Sequence, residues 1–339
     1  MDARTAESLL AIAEDARAGL RGSDDASALD TFATHYPAML EAMDWHIGCG
    51  RPDDAYGFAS TLVPLWMATK RLNEGIRWFA DAVRDHPAAT GARHGRALYD
   101  HGYLLFWSGD YSLASDRFAA ARELADQAGD QDLAALALAG SARVALNDDL
   151  AGAIQLLREA QRVTADMPDS PGRSSALHVL GVALQLSGDL PGAREVMRER
   201  LERGQSLGND SIVFIESTNL SMVERKLGNL DAAEGLSREA LRIVASQRNE
   251  LAIPWVVNGL AAVTAAKGDY ERAATLIGIA EGLMERAGGE WPADEREQYE
   301  GTLAALSGAA AKASVNERRA AGRAMTLENA VAFALSEAR

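Results

Sequence analysis

Apolar residues along this chain recur at offsets of three and four, and polar residues fill the positions between them. That spacing marks one face of a helix, and it continues from residue 3 almost to the end. No stretch alternates with period two, so strands are not expected. Residues 3–20 and 28–48 read as two opening helices parted by the polar turn GSDDAS. After Gly288 the pattern changes: EWPADEREQYEGTLAALSG predicts a helix, and Thr326 is placed to cap a last one, LENAVAFALSE.

Between these ends the pattern repeats. Five segments share a hinge: SGDYSLA at Gly109, NDDLAGA at Asp148, SGDLPGA at Gly188, LGNLDAA at Gly228 and KGDYERA at Gly268, at intervals of 39, 40, 40 and 40. Small residues flank every hinge. Gly102, Ser141, Gly181, Ser221 and Ala261 lie seven before it, and Ala114, Ala153, Ala193, Ala233 and Ala273 lie five after it. These are the places where two helices of one pair must approach closely.

Nine past the hinge stand Phe118, Leu157, Met197 and Ile277, with Ser237 breaking the rule. Three further on stand Ala121, Ala160, Ala240 and Ala280, with Arg200 the exception. A weaker sixth unit runs from about Asp53 through Lys70-Arg71-Leu72, with Gly75, Phe79 and Ala82 in the matching places. Gly-Asp and Gly-Asn suit such hinges because Gly accepts positive φ and Asp or Asn bonds nearby backbone. The expected organisation is a helical cap over 1–50, six helix pairs over 51–288 and a second cap over 289–339.

These residues resemble the tetratricopeptide repeat, most fully over Leu98 to Ala121, with the period stretched to about 40. HEAT and armadillo repeats share that length but not the Gly-Asp-Tyr hinge followed by alanine. The resemblance implies an all-α, right-handed superhelical solenoid of tetratricopeptide-like helix pairs.

A narrower resemblance covers nearly the whole chain. It is carried by MLEAMDWHIGCGRPDDAYGFASTLVPLWMATKRLNEGIRWFADAV, ALYDHGYLLFWSGDYSLA, LIGIAEGLMERAGGEWPADEREQYE and AAGRAMTLENAVAFAL. They are similar to the repeat region of multidomain bacterial signal-transduction ATPase regulators of LuxR-type or antibiotic-regulator-type architecture. That resemblance implies a sensor or oligomerisation arm following a nucleotide-binding module, with a DNA-binding helix-turn-helix elsewhere in the full protein. Gly-Lys, the dipeptide of a phosphate-binding loop, never occurs here, and no DNA-reading domain is recognisable. The chain is therefore expected to be either an excised arm or a free-standing scaffold relative.

Composition narrows the partners. A net charge of −15 spread along the chain repels phosphate backbones, so direct nucleic-acid binding is not expected. The locally basic ERRAAGR at Glu317–Arg323 reads as a solvated helix face. No apolar run reaches the ~18 residues a membrane helix needs, and the N-terminus lacks the basic-then-apolar order of a secretory signal. With Cys49 as the single cysteine, a reducing cytoplasm is the expected compartment. Thirty arginines against four lysines hint at a GC-rich bacterial genome.

Catalytic and metal-binding patterns are sparse. Gly204-Gln205-Ser206-Leu207-Gly208 fits the nucleophile pattern G-x-S-x-G, but it follows a helical stretch and no histidine lies beyond His178. It reads as a helix end. His35, His46, His86, His94, His101 and His178 form no tight ligand pair, so neither metal nor cofactor is expected.

Binding is the expected work. In a helix-pair solenoid the first helix of each pair lines the concave groove. Here that face would carry Arg96, Tyr99, Tyr103 and Trp107, then His178 and Gln185, then Arg225, and finally Trp255 and Asn258. Fourteen of the twenty aromatics fall between Phe32 and Phe118, as an aromatic-walled pocket or as ordinary core filling. The expected partner is a protein or peptide, with a small-molecule effector and self-association as further candidates.

Overall fold

The computed structural model describes residues 1–20, 25–85, 92–247, 249–250, 252–287, 291, 293–308 and 312–336. Among them are seventeen α-helices and no strand. The turn at 22–24, His86 and the 288/289 boundary lie outside the described residues.

The chain divides into two compact units, Met1–Ser187 and Gly188–Arg339. The first holds α1 (Ala3–Gly19), α2 (Asp25–Gly48), α3 (Pro52–Ala68), α4 (Leu72–Asp85), α5 (Ala92–Ser108), α6 (Tyr111–Ala128), α7 (Gln131–Ala145), α8 (Leu150–Val163) and α9 (Pro171–Ser187). The second holds α10 (Leu190–Ser206), α11 (Asp210–Lys226), α12 (Leu230–Ser246), α13 (Ile253–Ala266), α14 (Tyr270–Ala287), α15 (Ala293–Ser307), α16 (Lys312–Arg323) and α17 (Leu327–Leu335).

The Gly-Asp hinge performs two jobs in two residues. Gly109, Gly188 and Gly268 turn left-handed at φ 87°, 84° and 87°, which stops one helix. The aspartate then opens the next: Asp110, Asp189 and Asp269 accept the N–H of Leu113, Gly192 and Arg272 at 3.2, 2.9 and 3.0 Å. Asp149 does the same for Gly152 at 2.8 Å without a glycine before it.

In the weak sixth unit the glycine's place is taken by Lys70, a side-chain-bearing residue held at φ 58°. The hydrogen bond closing the turn is nevertheless kept, Arg71 N–H to Trp66 carbonyl at 2.8 Å, as Asp110 N–H bonds Leu105 carbonyl at 3.0 Å. Left-handed backbone costs a β-carbon residue about 1–2 kcal/mol. Lys70→Gly is therefore expected to stabilise the fold by about 1 kcal/mol, measured by denaturant titration; an unchanged or lower midpoint would count against the strained turn.

The small-residue seams are filled as the repeat requires. Ala114, Ala153, Ala193, Ala233 and Ala273 are all fully buried. Phe118 of α6 sits between α5 and α7, where a β-carbon on Gly102 would lie 2.9 Å from its ring and one on Gly140 2.6 Å. The two exceptions to the repeat rule are each matched by a partner. Ser237 shares a 2.7 Å hydrogen bond with Ser221, which also donates to the Ala233 carbonyl at 2.8 Å. Arg200 forms an ion pair with the fully buried Glu216.

Most of the N-terminal aromatics are core. Phe32, Tyr56, Phe58, Trp66, Phe79 and Phe118 are fully buried, and Trp66 Nε1–H donates to Tyr36 at 2.9 Å. Thr326 accepts the Asn329 N–H at 3.4 Å and so opens α17 as expected.

Candidate functional site

The nine residues expected on the binding face divide between the units. In the first, α5 spaces Arg96, Tyr99, Tyr103 and Trp107 by three, four and four residues, which sets them along one helical face. Tyr99 and Tyr103 stack at 6.1 Å and 17°, and Trp107 meets Tyr103 edge-on at 6.2 Å and 82°. Phe106 joins Trp107 to Tyr111 at 5.5 and 5.6 Å. The ladder emerges from the core as it runs: Tyr99 is buried, whereas Trp107 is 55% exposed.

Arg96 lies 5.5 Å over the Tyr99 ring and donates from Nε to both Asp100 oxygens at 3.1 Å. Asp100 is buried, and burial raises its pKa while Arg96 and Ser60 oppose the rise. Arg96 therefore compensates an internal carboxylate and frames the ladder. Burial also pushes Tyr99 up to about 12, so its hydroxyl stays protonated at neutral pH.

The structure adds two residues that sequence reasoning missed. Arg143 of α7 lies 5.7 Å over the Tyr103 ring, and its Nη1 donates to Ser175 of α9 at 3.1 Å. Its signal was present: five residues before the other hinges stand Leu104, Ala183, Val223 and Val263, and arginine alone departs from apolar. His178 lies half-buried one turn beyond Ser175 on α9, with Gln185 further along. The first helices of three successive pairs thus contribute to one arginine–aromatic surface.

In the second unit the expectation of an open face is corrected at α13. Asn258 is fully buried, and its Nδ2 donates to the carbonyl and the Oε2 of Glu295 on α15 at 3.1 and 2.8 Å. Trp255 is half-buried in the same core. Helix α15 covers these residues, and Arg225 of α11 reaches Gln298 of α15 at 3.4 Å.

Other candidates resolve into structural roles. His94 packs 5.3 Å from the Tyr56 ring and His101 stacks on Phe79 at 6.0 Å, so each imidazole belongs to an aromatic core. Among the described residues no cluster of His, Cys, Asp or Glu is arranged for a metal ion. Ser206 ends α10 and donates to the Arg203 carbonyl at 2.8 Å, so the G-x-S-x-G match is a helix terminus.

The basic stretch is largely solvated, as expected, and its arginines also reach α14: Arg318, Arg319 and Arg323 pair with Glu271, Glu281 and Glu285. Cys49 is exposed. No described helix is long and apolar enough to cross a membrane.

This is a tetratricopeptide-like all-α fold. Residues 218–246, spanning the end of α11 and all of α12, match the tetratricopeptide repeat family model. Proteins whose names assign them as HTH-type transcriptional regulators in Mycobacterium tuberculosis and Mycobacterium bovis are 27% identical over 235 residues. That alignment covers 67% of this chain and 26% of theirs, so the chain spans about a quarter of the relatives it matches.

Among solved structures, BtubC from P. vanneervenii aligns with TM-score 0.54 and 18% identity over 68% of this chain and 94% of its own. Rap protein complexed with competence and sporulation factor aligns with TM-score 0.52 and 14% identity over 92% and 85%. The apo quorum sensor NprR from B. thuringiensis gives 0.53 and 12% over 88% and 80%.

Proposed function

We propose that this chain is a non-catalytic binding arm of an ATPase-linked bacterial transcriptional regulator, in which α1–α2 and α15–α17 act as caps. The observation that carries the reading is the α5 surface, where Tyr103 and the exposed Trp107 are flanked by Arg96 and Arg143. Aromatic side chains with arginines are the residues that dominate protein and peptide recognition. Similarity to named transcriptional regulators supports the regulatory setting, and a Rap neighbour solved with a bound factor supports partner binding.

On this reading the arm works in the cytoplasm and touches no DNA itself. Occupancy by a protein, peptide or small effector would bias the regulator between states. A free-standing scaffold joining two proteins is the second reading, favoured by the same surface without a nucleotide-binding partner.

The test is binding of this chain to the nucleotide-binding module encoded in the same reading frame. Trp107→Ala and Tyr103→Ala are each expected to weaken it by about 2 kcal/mol, roughly thirtyfold, in calorimetry. Undiminished binding by both variants would remove the ladder from the interface. A reading frame encoding no such module would leave the scaffold.

A further inference from the structure

Arginines of the second unit show how this molecule treats a guanidinium taken out of water. Arg200 meets Glu216, and Arg238 meets Glu234 at 2.7 Å. Arg272 donates instead to the main-chain carbonyl of Phe333 at 3.0 Å.

Arg225 departs from this rule. It is half-buried on α11, yet among the described residues it forms no ion pair, its Nε has no hydrogen-bond partner, and its Nη2 has only the 3.4 Å contact with Gln298. Burial pulls its pKa below the usual guanidinium range, with Glu297 opposing. A charge desolvated this far without a counter-ion is costly unless an anion meets it.

Arg225 lines a groove of about 540 Å³ between α11, α13 and α15. Met222, Ala262 and Ala265 give it apolar walls, Lys226 adds a second cation, and Gln298 and Thr302 add polar groups from α15. The volume falls in the range of small-ligand sites, and the lining is about equally polar and apolar. Glu297 at the rim, in a chain of net charge −15, disfavours a dianion and favours a single negative charge.

We propose that this groove binds a monocarboxylate carried on a short apolar body, the carboxylate against Arg225 and the body along the alanine wall. A guanidinium fork matches a carboxylate in two parallel hydrogen bonds, and with Nε buried the terminal nitrogens Nη1 and Nη2 are the donors that would face it. An organic acid and the free C-terminus of an apolar peptide share this chemistry. The site belongs to the second unit and goes beyond the α5 surface proposed above.

The experiment is calorimetric titration of the full chain with two acids, octanoate and N-acetyl-Ala-Leu-Leu, each beside its primary amide. Saturable binding is expected for at least one acid and for neither amide; which acid binds identifies the source. Arg225→Gln should weaken it by about tenfold or more, with partial recovery in Arg225→Lys.

Ala266→Leu, at an exposed position on the groove wall, should block binding while leaving the helical circular dichroism unchanged. Trp107→Ala should bind the acid as the parent does, which keeps this result separate from the fate of the α5 surface. Saturable binding by neither acid, equal binding of acid and amide, or unaltered affinity in Arg225→Gln would each overturn the proposal.

Discussion

Replacing Gly322 by valine is expected to detach α16 from α14 and to cost about 3 kcal/mol or more of stability. The two helices touch backbone to backbone. A β-carbon on Gly322 would overlap the Thr275 carbonyl oxygen and lie 3.0 Å from the Ile279 nitrogen. On the facing helix, β-carbons on Gly278 and Gly282 would overlap the carbonyl oxygens of Arg319 and Arg323. No rotamer change relieves such contacts, so the helix itself must move.

Moving it also separates Arg319 from Glu281 and Arg323 from Glu285. The Arg319–Glu281 pair is tied further to α15, since Tyr299 donates to Glu281 at 2.5 Å. Hydrogen exchange over residues 312–323 should therefore rise along with a fall in the denaturation midpoint. Gly235→Ala is the control: it lies exposed in α12 with nothing near its added carbon, and should gain about 0.5–1 kcal/mol. A Gly322→Val protein with parental exchange in α16 would refute the close crossing.

The second large effect concerns acid. His101 is fully buried against Phe79, neither ring nitrogen has a hydrogen-bond partner, and burial lowers its pKa to about 4. In the unfolded chain the same group titrates near 6.5. As pH falls through 6.5 the unfolded state takes up the proton first, so stability is complete above that pH and declines toward 4. The decline from this one group is about 3 kcal/mol. His94, shifted down by the same cause, adds to it.

Asp100, with a raised pKa, acts with the opposite sign, so the informative quantity is the difference between parent and variant. His101→Phe keeps a flat ring on Phe79 and removes both unpartnered nitrogens. It should raise stability at neutral pH by about 1–2 kcal/mol and flatten the loss between pH 6.5 and 4.5, as read by urea titration. Parallel pH profiles for the two proteins would show that this imidazole is not the proton acceptor.

Much of the fold could be read before any coordinates, and the candidate site only in part. Tyr99, Tyr103 and Trp107 were recoverable because they share one face of a single helix, and spacing along a helix is a local property. Arg143 was not recovered, although it was the one charged residue in an otherwise apolar column, because its significance comes from a ring on a different helix. Asn258 was placed on an open face for the complementary reason: its position within its own pair is correct, but the covering helix arrives from 37 residues later in the chain.

What the sequence by itself determined is the chain of hairpins. A left-handed glycine followed by a capping aspartate ends one helix and starts the next through interactions spanning only a few residues, and buried alanines at fixed offsets set how closely each pair packs. Tertiary structure decided where the hairpins are sealed. The Ser221–Ser237 and Arg200–Glu216 pairs join consecutive helices, the α14–α16 glycine crossing and the cover of α15 over Asn258 join helices further apart in the chain, and the energies of all four depend on distances that no local pattern encodes.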